Sequence, residues 1–167
     1  MAQDRAVVYT VGHSNHPIER FVELLRDAGS TAVADVRSIP HSRRHPQFGR
    51  ARLERSLREA NIAYVYLGVE LGGRPADPTL LCDGKPDYAR MAATPAFSAG
   101  LDRIVDGAQQ HRIAIMCAER EPLDCHRFLL VSPHLLERGV GVRHILADGR
   151  IEPHDVTQAR GRSGSRS

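Results

Sequence analysis

Three cysteines, nine histidines and a cluster of arginines are the reactive side chains of this 167-residue chain. Cys117 and Cys125 are the most informative pair. A cysteine at a strand end or a helix start ionises more readily, because aligned N–H groups and nearby cations favour the thiolate. Cys125 is followed directly by His126 and Arg127, which supply such cations. Three uses compete. One is a nucleophile activated by His13 or His126. The second is a reversible disulfide across the seven-residue gap between the cysteines. The third is a metal site made of Cys117, Cys125 and His13 or His126. The chain has no C-x-x-C, and adjacent Cys-His residues rarely both reach one tetrahedral ion, so no metal or other cofactor is clearly implied. Leu123 and Val131 stand six residues after the two cysteines, which excludes the Cys-x5-Arg loop of phosphatases. The plain alternative is a pair of buried thiols acting as small apolar side chains.

Other candidates surround this pair. His13, in a Gly12-His13-Ser14 turn, is a base, a ligand or a ring bonded to its own loop. Gly12 lets another backbone approach, and Ser14 can bind an anion or cap a helix. Asp35 and Arg37 lie two apart on an extended segment, hence on one side. They form either a structural ion pair or an acid orienting an anion clamp. Glu119 follows Cys117 closely and suits an orienting role, while Ser42, Arg74 and Arg127 complete the set for an anionic substrate.

Charge supports an anionic partner. Residues 37–58 hold seven arginines against Glu54 alone, a charge of +6, and residues 157–167 add +3. The net charge is only +3, so the rest of the chain is at −6. Such segregation suits a small anion or a nucleic acid. Lys85 is the single lysine; a GC-rich genome explains that, as does selection for bidentate phosphate recognition. Phe48, within the basic segment, either anchors its loop or stacks on a base.

Five apolar runs rich in β-branched residues read as strands, at 6–11, 31–36, 63–67, 112–117 and 142–147. Helical spacing lies between them. Ile18, Phe21, Val22 and Leu25 make one helix, stopped at Gly29; Leu53, Leu57 and Ala60 make a second, ending near Asn61. Leu101, Ile104, Val105 and Ala108 make a third, and 127–138 a fourth, which Pro133 should kink or interrupt. The alternation predicts a single α/β domain over 1–156, a mostly parallel five-stranded sheet with helices on both faces, Rossmann-like and three-layered. The stretch 72–100 is too long and too rich in Pro, Gly and Asp for a simple connection, and suits a binding or lid element. Residues 157–167 have no large apolar side chain and read as a disordered basic tail. No apolar run approaches the ~18–20 residues of a membrane span. The N-terminus does not form a secretory signal, so a reducing cytoplasm is the default.

In open parallel sheets, ligands bind beyond the carboxyl ends of the strands. The first four predicted strands end in polar, reactive residues: Gly12-His13-Ser14, Asp35-Val36-Arg37, Gly68 with Glu70, and Cys117-Ala118-Glu119. The fifth ends more blandly, in Asp148-Gly149.

Taken together, certain pieces resemble the bacterial family called domain of unknown function 488. They are Thr10-Val11-Gly12-His13-Ser14, Asp35-Val36-Arg37-Ser38-Ile39-Pro40 with Ser42 and Phe48, Leu71-Gly72-Gly73-Arg74, and Cys117-Ala118-Glu119 with Pro122 and Cys125-His126-Arg127. The resemblance implies a compact α/β domain and a site, and names no reaction. The expectation is a thiol-dependent enzyme for an anionic substrate. Its alternatives are a nucleic-acid-binding module using 37–58 and a metal-dependent enzyme.

Overall fold

The computed structural model describes residues 6–162. Strand β1 (Val7–Gly12) leads through α1 (Ile18–Asp27) to β2 (Ala32–Asp35), and α2 (Arg50–Glu59) leads on to β3 (Ala63–Tyr66). A long excursion follows: α3 (Gly68–Leu71), a hairpin of β4 (Leu81–Cys82) and β5 (Lys85–Pro86), then α4 (Tyr88–Ala92) and α5 (Pro95–Gly107). The chain returns in β6 (Ile113–Cys117). It continues through a π-helical segment (Arg127–Val131) into α6 (Ser132–Glu137), β7 (Gly141–Ile145), β8 (Ile151–Pro153) and α7 (His154–Arg162).

The sheet order is β3-β2-β6-β1-β7-β8. All pairings are parallel except β7 with β8. The expected α/β fold is therefore present, with six strands in the sheet rather than five. β2 and β6 are buried along their whole length, as strands covered on both faces must be. Alternate residues serve opposite layers. Tyr9, Val11, Val33, Ala114 and Met116 face α1 and α2 through Phe21, Leu24, Leu25, Leu53 and Leu57. Val8, Ala34, Ile115 and Cys117 face the layer of Met91, Phe97, Leu101, Ile104 and Leu135, from α4, α5 and α6.

Two local readings differ from the sequence expectations, and the one at Pro133 agrees. Helix α5 begins at Pro95, earlier than the apolar spacing shows, because the Thr94 hydroxyl caps it by accepting from the Phe97 N–H at 3.1 Å. Pro133 does interrupt its helix: it falls in the first turn of α6, after the π-helical segment. The tail predicted to be disordered from 157 is helical to Arg162, and 163–167 lie outside the described residues. Tertiary contacts hold α7: the Thr157 hydroxyl donates to Glu152, and Arg160 pairs with Glu121 and Glu152 at 2.8 and 2.9 Å. No helix among the described residues is long and apolar enough to cross a membrane.

The helix after β1 packs on one face of the sheet and the segment after β6 on the other, although β1 and β6 are neighbours. This is the topological switch that opens a crevice at strand carboxyl ends. The basic segment reaches that crevice because Phe48 is fully buried, stacked on His13 (4.3 Å) and edge-on to Phe21 (5.2 Å). Phe48 is thus an anchor and is not presented to a base. Phe48→Ala should lower stability by about 3–5 kcal/mol, read as a reduced urea midpoint. A change below about 1 kcal/mol would show that the loop is held by other contacts.

Candidate functional site at the strand ends

A cavity of about 720 Å³ opens at the β1/β6 switch point. Of the residues expected to act there, His13, Ser14, Arg37, Ser42, Arg74, Cys117, Glu119 and His126 line it. Asp35, Cys125 and Arg127 stand behind its wall.

The floor is built by backbone. The His13 N–H donates to the Cys117 carbonyl at 2.9 Å and the Ser14 N–H to the Ala118 carbonyl at 3.0 Å, extending the β1–β6 ladder past both strand ends. Ser14 accepts a left-handed conformation (φ 47°) to make this turn, a strained state often found at functional positions. Gly12 is demanded by close approach: a Cβ there would sit 1.7 Å from the Glu119 carbonyl oxygen and 3.1 Å from an Arg127 nitrogen.

Arg127 is the centre of what lies beneath. It is fully buried, and its guanidinium donates to the Thr10 hydroxyl (3.0 Å), the Cys117 Sγ (2.7 Å), and the carbonyls of Glu119 (2.8 Å) and Arg120 (3.4 Å). The Thr10 hydroxyl in turn donates to His144 Nδ1 at 2.6 Å, and His144 Nε2 donates to His154 Nδ1 at 3.1 Å. Burial keeps the His144 ring neutral, with Arg127 acting in the same direction. Burial also draws Arg127 down to about 10. This position does not suit the direct anion-holding role expected of Arg127, because its donors are turned inward and spent.

Arg37 is likewise engaged. Its Nε and Nη2 make a bidentate pair with Asp35 at 2.9 and 2.7 Å, and Nη1 donates to the Phe48 carbonyl at 2.7 Å. Tyr64 adds a bond to the same carboxylate at 2.6 Å. The two-residue spacing therefore forms a buried ion pair, which anchors the start of the basic segment in the sheet. Arg74 differs: it is exposed, its backbone N–H is fixed by the Ser38 hydroxyl at 2.9 Å, and its guanidinium has no partner among the described residues. It is the cation that the cavity leaves available.

Two of the cavity's histidines, His13 and His126, are neutral rings with defined partners. His13 Nδ1 donates to the Ser14 carbonyl at 2.8 Å, leaving Nε2 to accept, at 3.5 Å, from Arg37. Burial lowers its pKa to about 4, the Ser14 bond opposing and Arg37 adding to the shift. His126 Nε2 donates to the Val36 carbonyl at 3.0 Å, and its Nδ1 faces Cys125 Sγ at 3.7 Å. Burial lowers the pKa of this ring too. Gly73 makes room for it, since a Cβ there would press on the ring at 2.8 Å.

Cys117 and Cys125 are joined as a disulfide in this structure, with Cα atoms 7.5 Å apart, and Cys82 is the free cysteine. That separation exceeds the roughly 4.4–6.8 Å usual between bridged cysteines. Cys117 lines the cavity, whereas Cys125 is not among its lining residues. Glu119 completes a donor group with them, all three ligand atoms within 4.8 Å of one another. His13, expected as the third ligand of a metal site, is not in that group. Sequence reasoning also missed Ser38, His41, His45, Tyr88 and Asp124, which line the cavity. His41 and His45 were visible in the Pro-His-Ser-Arg-Arg-His run, but only the loop's return over Phe48 makes them wall residues.

Because the fold holds His13 neutral, the unfolded chain takes up that proton first as pH falls below 6.5. Stability present above pH 6.5 is then lost down to about pH 4, by about 3 kcal/mol for this group. In His13→Gln, denaturant titrations at pH 7 and pH 4 should differ by about that much less than in the wild type. An unchanged difference would mean that other groups govern the acid limb.

Comparison with known families matches residues 17–132 to "Domain of unknown function DUF488". No curated protein and no solved structure matches the chain. The match runs from the turn before α1 to the start of α6, taking in β2, β3 and β6 and the cavity walls other than the turn after β1, and covers more than half of the chain, which belongs to the DUF488 family.

Proposed function

We propose that this protein is a thiol-dependent enzyme for an anionic substrate, with Cys117 as the attacking thiolate. The carrying observation is the surroundings of Arg127. A fully buried guanidinium requires a counter-charge. Among the described residues no carboxylate lies within ion-pair distance of it, and the one atom it touches that can carry a negative charge, once the Cys117–Cys125 disulfide is reduced, is Cys117 Sγ, at 2.7 Å. The thiolate is that counter-charge, and the same contact stabilises the sulfur as nucleophile.

Arg74 would draw the substrate's negative charge into the cavity, with the Ser14 and Ser42 hydroxyls as further donors. Glu119 would orient the bound group. Cys125, touching Cys117 and facing the unprotonated Nδ1 of His126, is placed to give up its own proton and act as the second thiol. A reducing cytoplasm would keep both sulfurs available. The donor group of Cys117, Cys125 and Glu119 favours a second reading, a soft metal ion bound there. A dication would have to share Cys117 with a guanidinium at hydrogen-bond distance, so the thiolate reading is preferred.

With Cys82 replaced by Ser and reducing agent present, the rate of Cys117 alkylation by iodoacetamide should level off well below pH 8.5, the usual range of a free thiol. Arg127→Met should slow that reaction at pH 7 at least tenfold, with circular dichroism confirming the fold. An ordinary thiol profile in the wild type, or an unaltered rate in Arg127→Met, would refute the counter-charge assignment. Elemental analysis of protein purified without chelators tests the metal reading: stoichiometric metal would replace the thiolate reading with it.

A further inference from the structure

We infer that the cavity receives one unit of a single-stranded nucleic acid, whose flanking phosphates lie along the arginines that follow the cavity rim. This inference rests on the thiol-site reading above and names its substrate class.

The first observation is continuity. Ser42 and His45 line the cavity, and Arg43 and Arg44 lie between them in sequence, both exposed. After the Phe48 anchor the chain enters α2, whose Arg50 N–H is fixed to the Pro40 carbonyl at 2.9 Å and whose exposed Arg52 and Arg55 are one turn apart. The rim and the strip are thus one continuous piece of chain, held to the sheet by Arg37 and Phe48.

The second observation is that these cations are unpaired. Arg43, Arg44, Arg52 and Arg55 have no side-chain partner among the described residues, although the chain outside the basic segment and tail is at −6. Elsewhere Arg90, Arg138 and Arg150 each pair with an acid, while other exposed arginines without an acid partner among the described residues, Arg26, Arg103, Arg120 and Arg143, stand singly along the chain and form no row. Helix α2 also places Arg50 and Arg52 in its first turn with no acid beside them, against the sign of the helix dipole. A row of like charges maintained at that electrostatic cost is relieved by a polyanion.

The third observation separates the candidate polyanions. A bilayer surface would meet the strip but could not fill a concave, polar cavity about 720 Å³ in volume. A stacked duplex could not enter it either, whereas a single strand can turn one nucleotide inward. Within the cavity Tyr88 offers a ring and Arg74 a free cation for that nucleotide. Arginine is the residue type suited to bidentate phosphate contact.

Fluorescence anisotropy of the full chain with labelled dT12 and rU12 tests the inference. Both strands should bind more tightly than a 12-base-pair duplex. Four phosphate contacts predict a slope of about −3 in log affinity against log salt. R43S/R44S/R52S/R55S should weaken binding at least tenfold and flatten the slope. Bound dT12 should also slow Cys117 alkylation severalfold, tying the strip to the cavity. No binding at 50 mM salt, equal binding by the quadruple variant, tighter duplex binding, absence of Cys117 protection, or sedimentation with phosphatidylserine vesicles without strand binding would each overturn it. A preference between dT12 and rU12 identifies DNA or RNA as the source. Loss of strand binding with the low-pH alkylation intact removes this inference alone. Strand binding beside an ordinary thiol profile removes the thiolate reading alone.

Discussion

The constraint on which the strand-end architecture depends is the burial of a guanidinium that no carboxylate among the described residues pairs with directly. Arg127 draws the Thr10 hydroxyl from β1, the sulfur of Cys117 from β6 and the carbonyls of the following loop onto a single planar fork. Those donors meet groups that would otherwise be unsatisfied under the sheet's edge. Gly12 lacks a side chain because the Glu119 carbonyl held by this fork occupies the space. His144 and His154 then extend the network toward α7, so that helix is linked through hydrogen bonds to the crevice at the strand ends.

The Asp35–Arg37 pair has a different task. It is saturated by backbone and side-chain partners and ties the basic segment to β2. The division is physical: arginines that are buried organise the fold, and those that are exposed and unpaired remain available for an anion. Composition alone cannot separate these classes, since all are counted in the same charge.

Much of the fold was legible because parallel strands buried on both faces leave uninterrupted β-branched runs, as in β1, β2 and β6. The effect of Pro133 followed from its missing N–H. β8 was not legible: Ile151–Pro153 is three residues long, and its signal lay in the Asp148-Gly149 turn, where Gly149 adopts φ 93°. Helix α7 escaped because its sequence is polar and its stability comes from Glu121 and Glu152, which are distant or outside the element. At the site, the rule that ligands bind beyond parallel strand ends located the cavity. It could not reveal that Arg127, in a polar stretch beside His126, points into the interior, since only the π-helical turn of 127–131 sets that direction.

The cavity walls differ in stiffness. On one side His13, Ser14 and Cys117 are fixed by sheet-like backbone bonds, so their spacing is that of adjacent strands and changes little with time. On the opposite side the wall belongs to the excursion between α3 and α4, where Gly73, Arg74, Pro86 and Tyr88 face the same space. That wall is tied to the rest by the Ser38–Arg74 bond, by contact of Gly73 with the His126 ring and by packing of Leu80 and Tyr88 against the core. The spacing of the strand-end wall therefore follows from the sheet itself, whereas the shape of the second wall depends on side-chain packing and is the part of the cavity that sequence changes can remodel without altering the sheet.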